Sequence, residues 1–237
     1  MSTTNLSSLS VLTDIITAPG RAFAALKERP TVLLPLLILI IINSAVSFAY
    51  TSSVDLAWML DQQLQQAQNL TDAQRDQAVK AALRISPTVY GVIAVVGTAI
   101  VLPLLFALSS LYYSGVSFVT GDGVKYKQWF SLASWCAIPV VFGLLAALVH
   151  VLAGDARFMR QEELNPFSFG NLLAIDMVGV TRAQRVLFNL DPTLIWCVVL
   201  SIMGYQSFTK RSLPFAAAVV LAPMALIVAI VAGIALL

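Results

Sequence analysis

The sequence predicts an all-α polytopic membrane protein: a bundle of five transmembrane helices, with amphipathic helices lying in the interface or outside the membrane. Three observations point there. Hydrophobic residues make up 59% of the 237-residue chain and charged residues only 11%, where a soluble domain carries roughly a quarter charged residues. Five long apolar runs contain no Asp, Glu, Lys or Arg, so lipid takes the surface that a soluble chain would have to bury. Between Gly121 and Val149 a polar turn carrying Lys125 and Lys127 passes into an apolar helix that starts at Trp129. Basic residues beside an aromatic at the mouth of a span are what a cytoplasmic membrane edge selects for.

Residues 1–30 form a cytoplasmic amphipathic segment rather than a cleavable signal, because the first ten residues carry no basic side chain and the apolar run begins only near Thr31. Leu6, Leu9, Leu12 and Ile15/Ile16 recur every three to four residues and mark one helix face. Pro19-Gly20 ends that helix and opens a second, with Ala22, Phe23 and Leu26 apolar and Arg21, Lys27 and Arg29 basic. Such a helix is expected in the headgroup region with its cations toward anionic lipid, or else packed on the cytoplasmic end of the bundle.

The remaining chain, 31–237, makes the five-helix domain, with spans at about 31–50, 88–113, 129–151, 192–208 and 213–237. Asn43 is the most polar side chain deep in the first span. It is expected to hydrogen-bond a neighbouring helix, typically worth ~0.6 kcal/mol, rather than contact a substrate. The loop of residues 51–86 reads as a helical hairpin: Ala57, Leu60, Leu64 and Ala67 make one stripe, Thr71 and Gln74 a capping box, and Ala78, Val79, Ala82 and Leu83 a second stripe. The Asn69-Leu70-Thr71 triplet is a weak glycosylation match and is taken as chance. The second span holds Gly91, Gly97 and Pro103, and a proline inside a membrane helix kinks it and is tolerated there. Pro139 breaks the third span about ten residues in, near the bilayer middle at about 1.5 Å per residue. Ala133/Ala137 and Gly143/Ala147 let another helix come close, and His150 at the far end reads as a polar anchor rather than a proton relay. The loop of residues 154–192 carries Phe167, Phe169, Leu172, Leu173, Met177 and Val178, apolar enough to rest partly in the interface. Asp191 and Trp196 open the fourth span, and the fifth contains Pro223 and the stripe Ala225, Ala229, Gly233.

Loop charge sets the orientation. With the N-terminus inside, the cytoplasmic side holds residues 1–30, 114–128 and 209–212, with seven Lys/Arg against Asp14, Glu28 and Asp122. The opposite side has seven Lys/Arg against nine acids on far longer loops. The positive-inside rule acts most strongly on short turns, so the N-terminus is expected in the cytoplasm and the C-terminus on the opposite side.

The segment Ala18–Phe23 (APGRAF) with Arg29-Pro30, the turn and span Gly121–Pro139 (GDGVKYKQWFSLASWCAIP) and Leu190–Trp196 (LDPTLIW) occur in this order over most of the chain. In order and spacing they resemble the Yip family of membrane proteins, named for interaction with Ypt/Rab GTPases, and in particular its bacterial branch. The resemblance implies a five-helix domain with a cytoplasmic N-terminus and a place in the bacterial cytoplasmic (inner) membrane. Eukaryotic relatives carry an acidic-aromatic DLYGP-like segment linked to GTPase binding, whereas this chain has only Asp191-Pro192 in another setting. The resemblance therefore transfers the fold and a membrane-organising or partner-binding role, but not GTPase recruitment.

Several function classes recede on composition. A net charge of +2 with scattered cations does not suit nucleic acid. One histidine and two cysteines, Cys136 and Cys197, in separate apolar segments form no usual metal set and suit packing better than a disulfide. No catalytic pair lies at membrane depth, so no enzyme and no cofactor is expected. Uncharged spans also disfavour ion- or proton-coupled transport. The preferred reading is a non-enzymatic scaffold whose partners are the bilayer, a membrane or cytoplasmic protein, or a second copy. A small permease, channel or lipid-handling transporter is the alternative, since Pro35, Pro103, Pro139 and Pro223 break helices where a cavity could form. Pro19, Gly20, Asn43, Gly121, Lys125, Lys127, Trp129, Pro139, Asp191 and Trp196 are the candidate positions.

Overall fold

The structure, a computed structural model, describes residues 7–65, 71–176 and 180–235. Leu6, Ala67, Asn69, Leu70, Met177 and Val178 lie outside the described residues, as do the side chains of Ala229 and Gly233. Among the described residues the chain is all-α. In order it forms α1 (Ser8–Thr17), α2 (Pro19–Glu28), α3 (Leu33–Ser53), α4 (Leu56–Gln65), α5 (Asp72–Ala82), α6 (Pro87–Thr120), α7 (Tyr126–Cys136), α8 (Val140–Ala153), α9 (Phe169–Leu172), α10 (Arg182–Leu187), α11 (Pro192–Thr209) and α12 (Leu213–Ala235).

Two of these helices are single rods long and apolar enough to cross a membrane: α3, with a mean hydropathy of 2.2, and α6, with 2.6. The α7–α8 pair makes a third span if its two halves are taken together, with a bend of 41° at the break. Pro139 accounts for that break. It has no N–H to donate, and its ring would clash with the carbonyl four residues back in a continuing helix. The Trp135 carbonyl accepts from the Ile138 N–H instead, at 3.2 Å, and Val140 N–H turns back to the Ala137 carbonyl at 3.1 Å. The expected fourth and fifth spans fall on α11, of 18 residues, and α12, apolar over Leu213–Leu226, neither of which is, among the described residues, one of the two or three helices long and apolar enough to cross.

The chain divides into two compact units, one drawn from Met1–Ile38, Leu102–Val140 and Thr193–Leu237, the other from Leu39–Val101 and Val141–Pro192. The first unit has a large aromatic core. Trp129, Trp135, Tyr205, Phe23, Phe208, Ile15, Leu26, Leu132 and Leu200 are all fully buried there. Val11 and Ile15 of α1, and Ala22, Phe23 and Leu26 of α2, belong to this core. The apolar face of the N-terminal hairpin is thus occupied by protein. Of the two placements open for it, packing on the bundle is the one observed. Pro19 sits at the first position of α2, where its missing N–H costs nothing.

The second unit has its own core of Tyr50, Val54, Leu56, Met59, Val151, Ala156 and Met159. The Tyr50 hydroxyl donates to the Met159 carbonyl at 2.9 Å. Here α3 and α6 approach closely at Gly91, where an added Cβ would lie 2.9 Å from Phe48 Cδ2 and 3.1 Å from Thr51 Oγ1. Further along the same helices, Asn43 Oδ1 accepts from Thr98 Oγ1 of α6 at 3.4 Å. The expected helix-to-helix hydrogen bond is therefore present. Gly91→Leu is expected to wedge α3 from α6 and to destabilise by about 1–3 kcal/mol, the usual range for overpacking. A thermal or denaturant unfolding curve in detergent checks it.

The hairpin expected in residues 51–86 is formed by α4 and α5, and the capping box is in place. Gln74 N–H donates to Thr71 Oγ1 at 3.3 Å, and Thr71 N–H donates to Gln74 Oε1 at 2.9 Å. The buried face of α4 differs from the expected stripe, running through Leu56 and Met59, while α5 buries no residue. The second span also runs further than expected. Its helix continues through Ser114–Thr120 because nothing in that stretch stops it before Gly121.

Candidate functional site

The basic turn after α6 is built by glycine. Gly121 and Gly123 take φ of +71° and +69°, a region other residues enter only with strain. Their return brings Lys125 to the N-cap of α7, where its N–H donates to Gln128 Oε1 at 2.7 Å. Between the glycines, Asp122 turns inward and its side chain is only 3% exposed. It accepts from Arg211 Nε at 2.8 Å and from the Thr120 hydroxyl, while Arg211 Nη2 donates to the Thr120 carbonyl. Both short basic turns of the first unit, 121–125 and 209–212, are therefore clasped together.

The N-terminal hairpin joins the same edge. Lys27 Nζ donates to the Phe208 carbonyl at 2.5 Å, at the end of α11, where carbonyls lack helical partners and favour a cation. Gln128 Nε2 donates to the Lys27 carbonyl at 2.6 Å. Ser131 Oγ and Trp135 Nε1 both donate to the Thr31 carbonyl, at 2.8 and 2.9 Å. Arg21 pairs with the buried Asp14 at 2.7 Å, closing α1 on α2.

Trp129 lies at the centre of these contacts. Its ring stacks on Tyr205 at 5.1 Å and meets Tyr113 at 5.3 Å and Phe208 at 5.8 Å. The helices close over it because residue 204 is glycine: a Cβ there would lie 2.4 Å from Leu132 Cδ1 and 3.1 Å from Phe23 Cε1. One turn of the site is thus an aromatic pillar, and its rim is the clasped basic edge. Lys125, Lys127 and Lys210 are exposed on that rim, and Lys210 holds φ +61° at the end of α11.

Of the positions singled out from sequence, Gly121, Lys125, Lys127 and Trp129 come together at this edge, with Pro19 and Gly20 on the hairpin packed beside it. A Cβ at Gly20 would meet nothing within 4 Å, so no packing constraint requires glycine there. Pro139 is fully buried in the first unit, and Trp196 packs on its core. Asn43 and Asp191 belong to the second unit. Asp191 accepts from Asn165 Nδ2 at 2.7 Å and thereby anchors the loop before α11. His150 lines an open pocket of about 520 Å³ in that unit, with Asp155, Met159, Glu163 and Asn171. Its Nδ1 is buried without a hydrogen-bond partner.

Sequence reasoning counted Asp122 and Arg211 only as charges and missed that they bind one another. The available signal was Asp122 itself, a single acid stranded among the lysines of a short turn. Gln128, Ser131 and Tyr205 were missed because polar and aromatic residues on an apolar helix look alike whether they tie to a neighbour or face lipid.

No curated protein and no solved structure is significantly similar to the chain. The Yip1 domain, by contrast, matches residues 13–235, which include the second half of α1, α2, the clasped turns, the aromatic pillar and every helix from α3 to α12. An all-helical integral membrane chain matched over that span belongs to the Yip1-domain family.

Proposed function

We propose that this chain is a non-enzymatic scaffold of the bacterial cytoplasmic (inner) membrane, with five spans, the N-terminus in the cytoplasm and the C-terminus on the opposite side. It organises lipid or captures a membrane or cytoplasmic protein at the basic edge of its first unit. The reading is carried by the clasp of Asp122 with Arg211 and Thr120. Two turns that are far apart in sequence are held together there, and the lysines beside them are left exposed. A rigid cationic edge is what a peripheral partner or an anionic surface recognises.

Photo-crosslinkers placed at Lys125 and Lys127 in native membranes are expected to give one discrete adduct, and none when placed at Leu83 on the second unit. Purified protein in liposomes is expected to produce neither lipid scrambling nor solute efflux above protein-free vesicles. Efflux that disappears on substituting Pro139 or Asn43 would replace the scaffold by a permease. A C-terminal reporter active only in the cytoplasm would reverse the orientation.

A further inference from the structure

Beside the last turns of α6, within the first unit, lies an open apolar groove of about 600 Å³ lined by Leu108, Leu111, Gly115, Val116, Val119 and Thr120. No side chain stands at Gly115, and a Cβ built there would meet nothing within 4 Å. The groove covers the residues from Leu108 to Thr120, about 18 Å of helix at 1.5 Å per residue, close to one leaflet of a ~30 Å hydrocarbon layer. It ends at Thr120, whose carbonyl accepts from Arg211 Nη2. The Arg211 side chain is 40% exposed, and Asp122 and Thr120 engage two of its five N–H donors. Lys210 precedes it in the chain and is exposed.

We propose that this groove holds one acyl chain of an anionic phospholipid, with the lipid phosphate at Arg211 and Lys210. The apolar face of α6 ends at Thr120, whose carbonyl Arg211 binds, so apolar surface and cation adjoin here as they do within a phospholipid. A peptide is the poorer occupant. The groove lies on a 34-residue helix without a single charge, and an extended peptide brought to that depth would leave its backbone polar groups unsatisfied. An acyl chain has none to satisfy. The headgroup is anionic because the one acid at the clasp, Asp122, is buried and already bound. The cations of the two turns outnumber it four to one. The site goes beyond the scaffold reading, since a resident lipid can be present whether or not a protein partner is captured.

The test uses the full chain in mild detergent, titrated with phosphatidylglycerol or phosphatidylcholine of identical acyl chains and read by native mass spectrometry. The wild-type chain is expected to retain one phosphatidylglycerol, with at least tenfold preference over phosphatidylcholine and a preference that falls as salt rises. Gly115→Leu fills the groove and is expected to lower retention of both lipids tenfold or more, with an unchanged melting temperature. Val119→Trp, on an 84% exposed position, is the second blocking variant should the first fail to fold. Lys210→Gln is expected to reduce the headgroup preference several-fold while leaving phosphatidylcholine retention unchanged. Retention undiminished in both blocking variants overturns the proposal, as does equal retention of the two headgroups. Displacement of the lipid by millimolar glycerol phosphate would make this a free-phosphate site and overturns it too.

Discussion

Trp129→Ala is expected to be the most damaging single substitution in the first unit, costing about 3–5 kcal/mol, the range for deleting a large buried aromatic. The ring is fully buried and touches Tyr113 of α6 and both Tyr205 and Phe208 of α11. Removing it takes away the surface on which α11 and the last turns of α6 meet α7, and it leaves a cavity that these helices cannot collapse to fill. The hairpin should loosen with it, because Phe23 and Leu26 share the same core. Denaturant titration in detergent reads the loss of stability. Faster proteolysis at Arg21 and Lys27 would report the release of the hairpin. Trp129→Phe keeps a ring in place and is expected to recover at least half of the loss. An alanine variant as stable as the wild type would show that the pillar is not what holds this unit together.

Arg211→Gln is expected to cost about 1–3 kcal/mol, the penalty for leaving a buried charged group without its partner. Asp122 is the group at risk, since its carboxylate is almost fully buried. The partial exposure of Arg211 keeps the figure below that of a wholly buried ion pair, because solvent screens part of the interaction. Asp122→Asn/Arg211→Gln removes both charges and is expected to be more stable than Arg211→Gln alone, with a coupling in the double-mutant cycle that a pair of unlinked turns would not give. The measurement is the unfolding midpoint of the four proteins, and additive effects would contradict the clasp. Crosslinking from Lys125 should weaken in the single variant even where the protein stays folded, because the turn that presents Lys125 is no longer tied down.

Much of the fold was legible in the residues. The spans expected at 31–50 and 192–208 match α3 and α11 to within three residues, since runs of Leu, Ile and Val without charge leave little choice but a helix. Pro139 and the Thr71–Gln74 box spoke clearly because each acts locally, through a missing N–H or a side chain meeting its own backbone. Less local features were not readable. The register of α4 depends on which of two comparable apolar faces finds a neighbour. The face of the N-terminal hairpin is equally suited to lipid and to an aromatic core, and only the presence of Gly204 opposite Phe23 decides the matter. The bond from Arg211 to Asp122 spans 89 residues, and both were visible only as charges in separate turns. Positive-inside counting treats all such charges alike, so it could weigh Arg211 without revealing that its Nε is tied to Asp122.

The length of α6 carries a consequence for where this protein resides. Thirty-four uncharged residues make a rod of about 51 Å, against ~30 Å of hydrocarbon and ~40–45 Å with the headgroups included. An upright α6 is therefore mismatched with an average bilayer by more than a headgroup layer on either side. Tilting absorbs part of that excess, and local thickening of the membrane absorbs more, at a fraction of a kcal/mol for each ångström. Thick bilayers relieve the penalty and thin ones raise it, so the helix gives the protein a built-in preference among membrane regions that owes nothing to any partner.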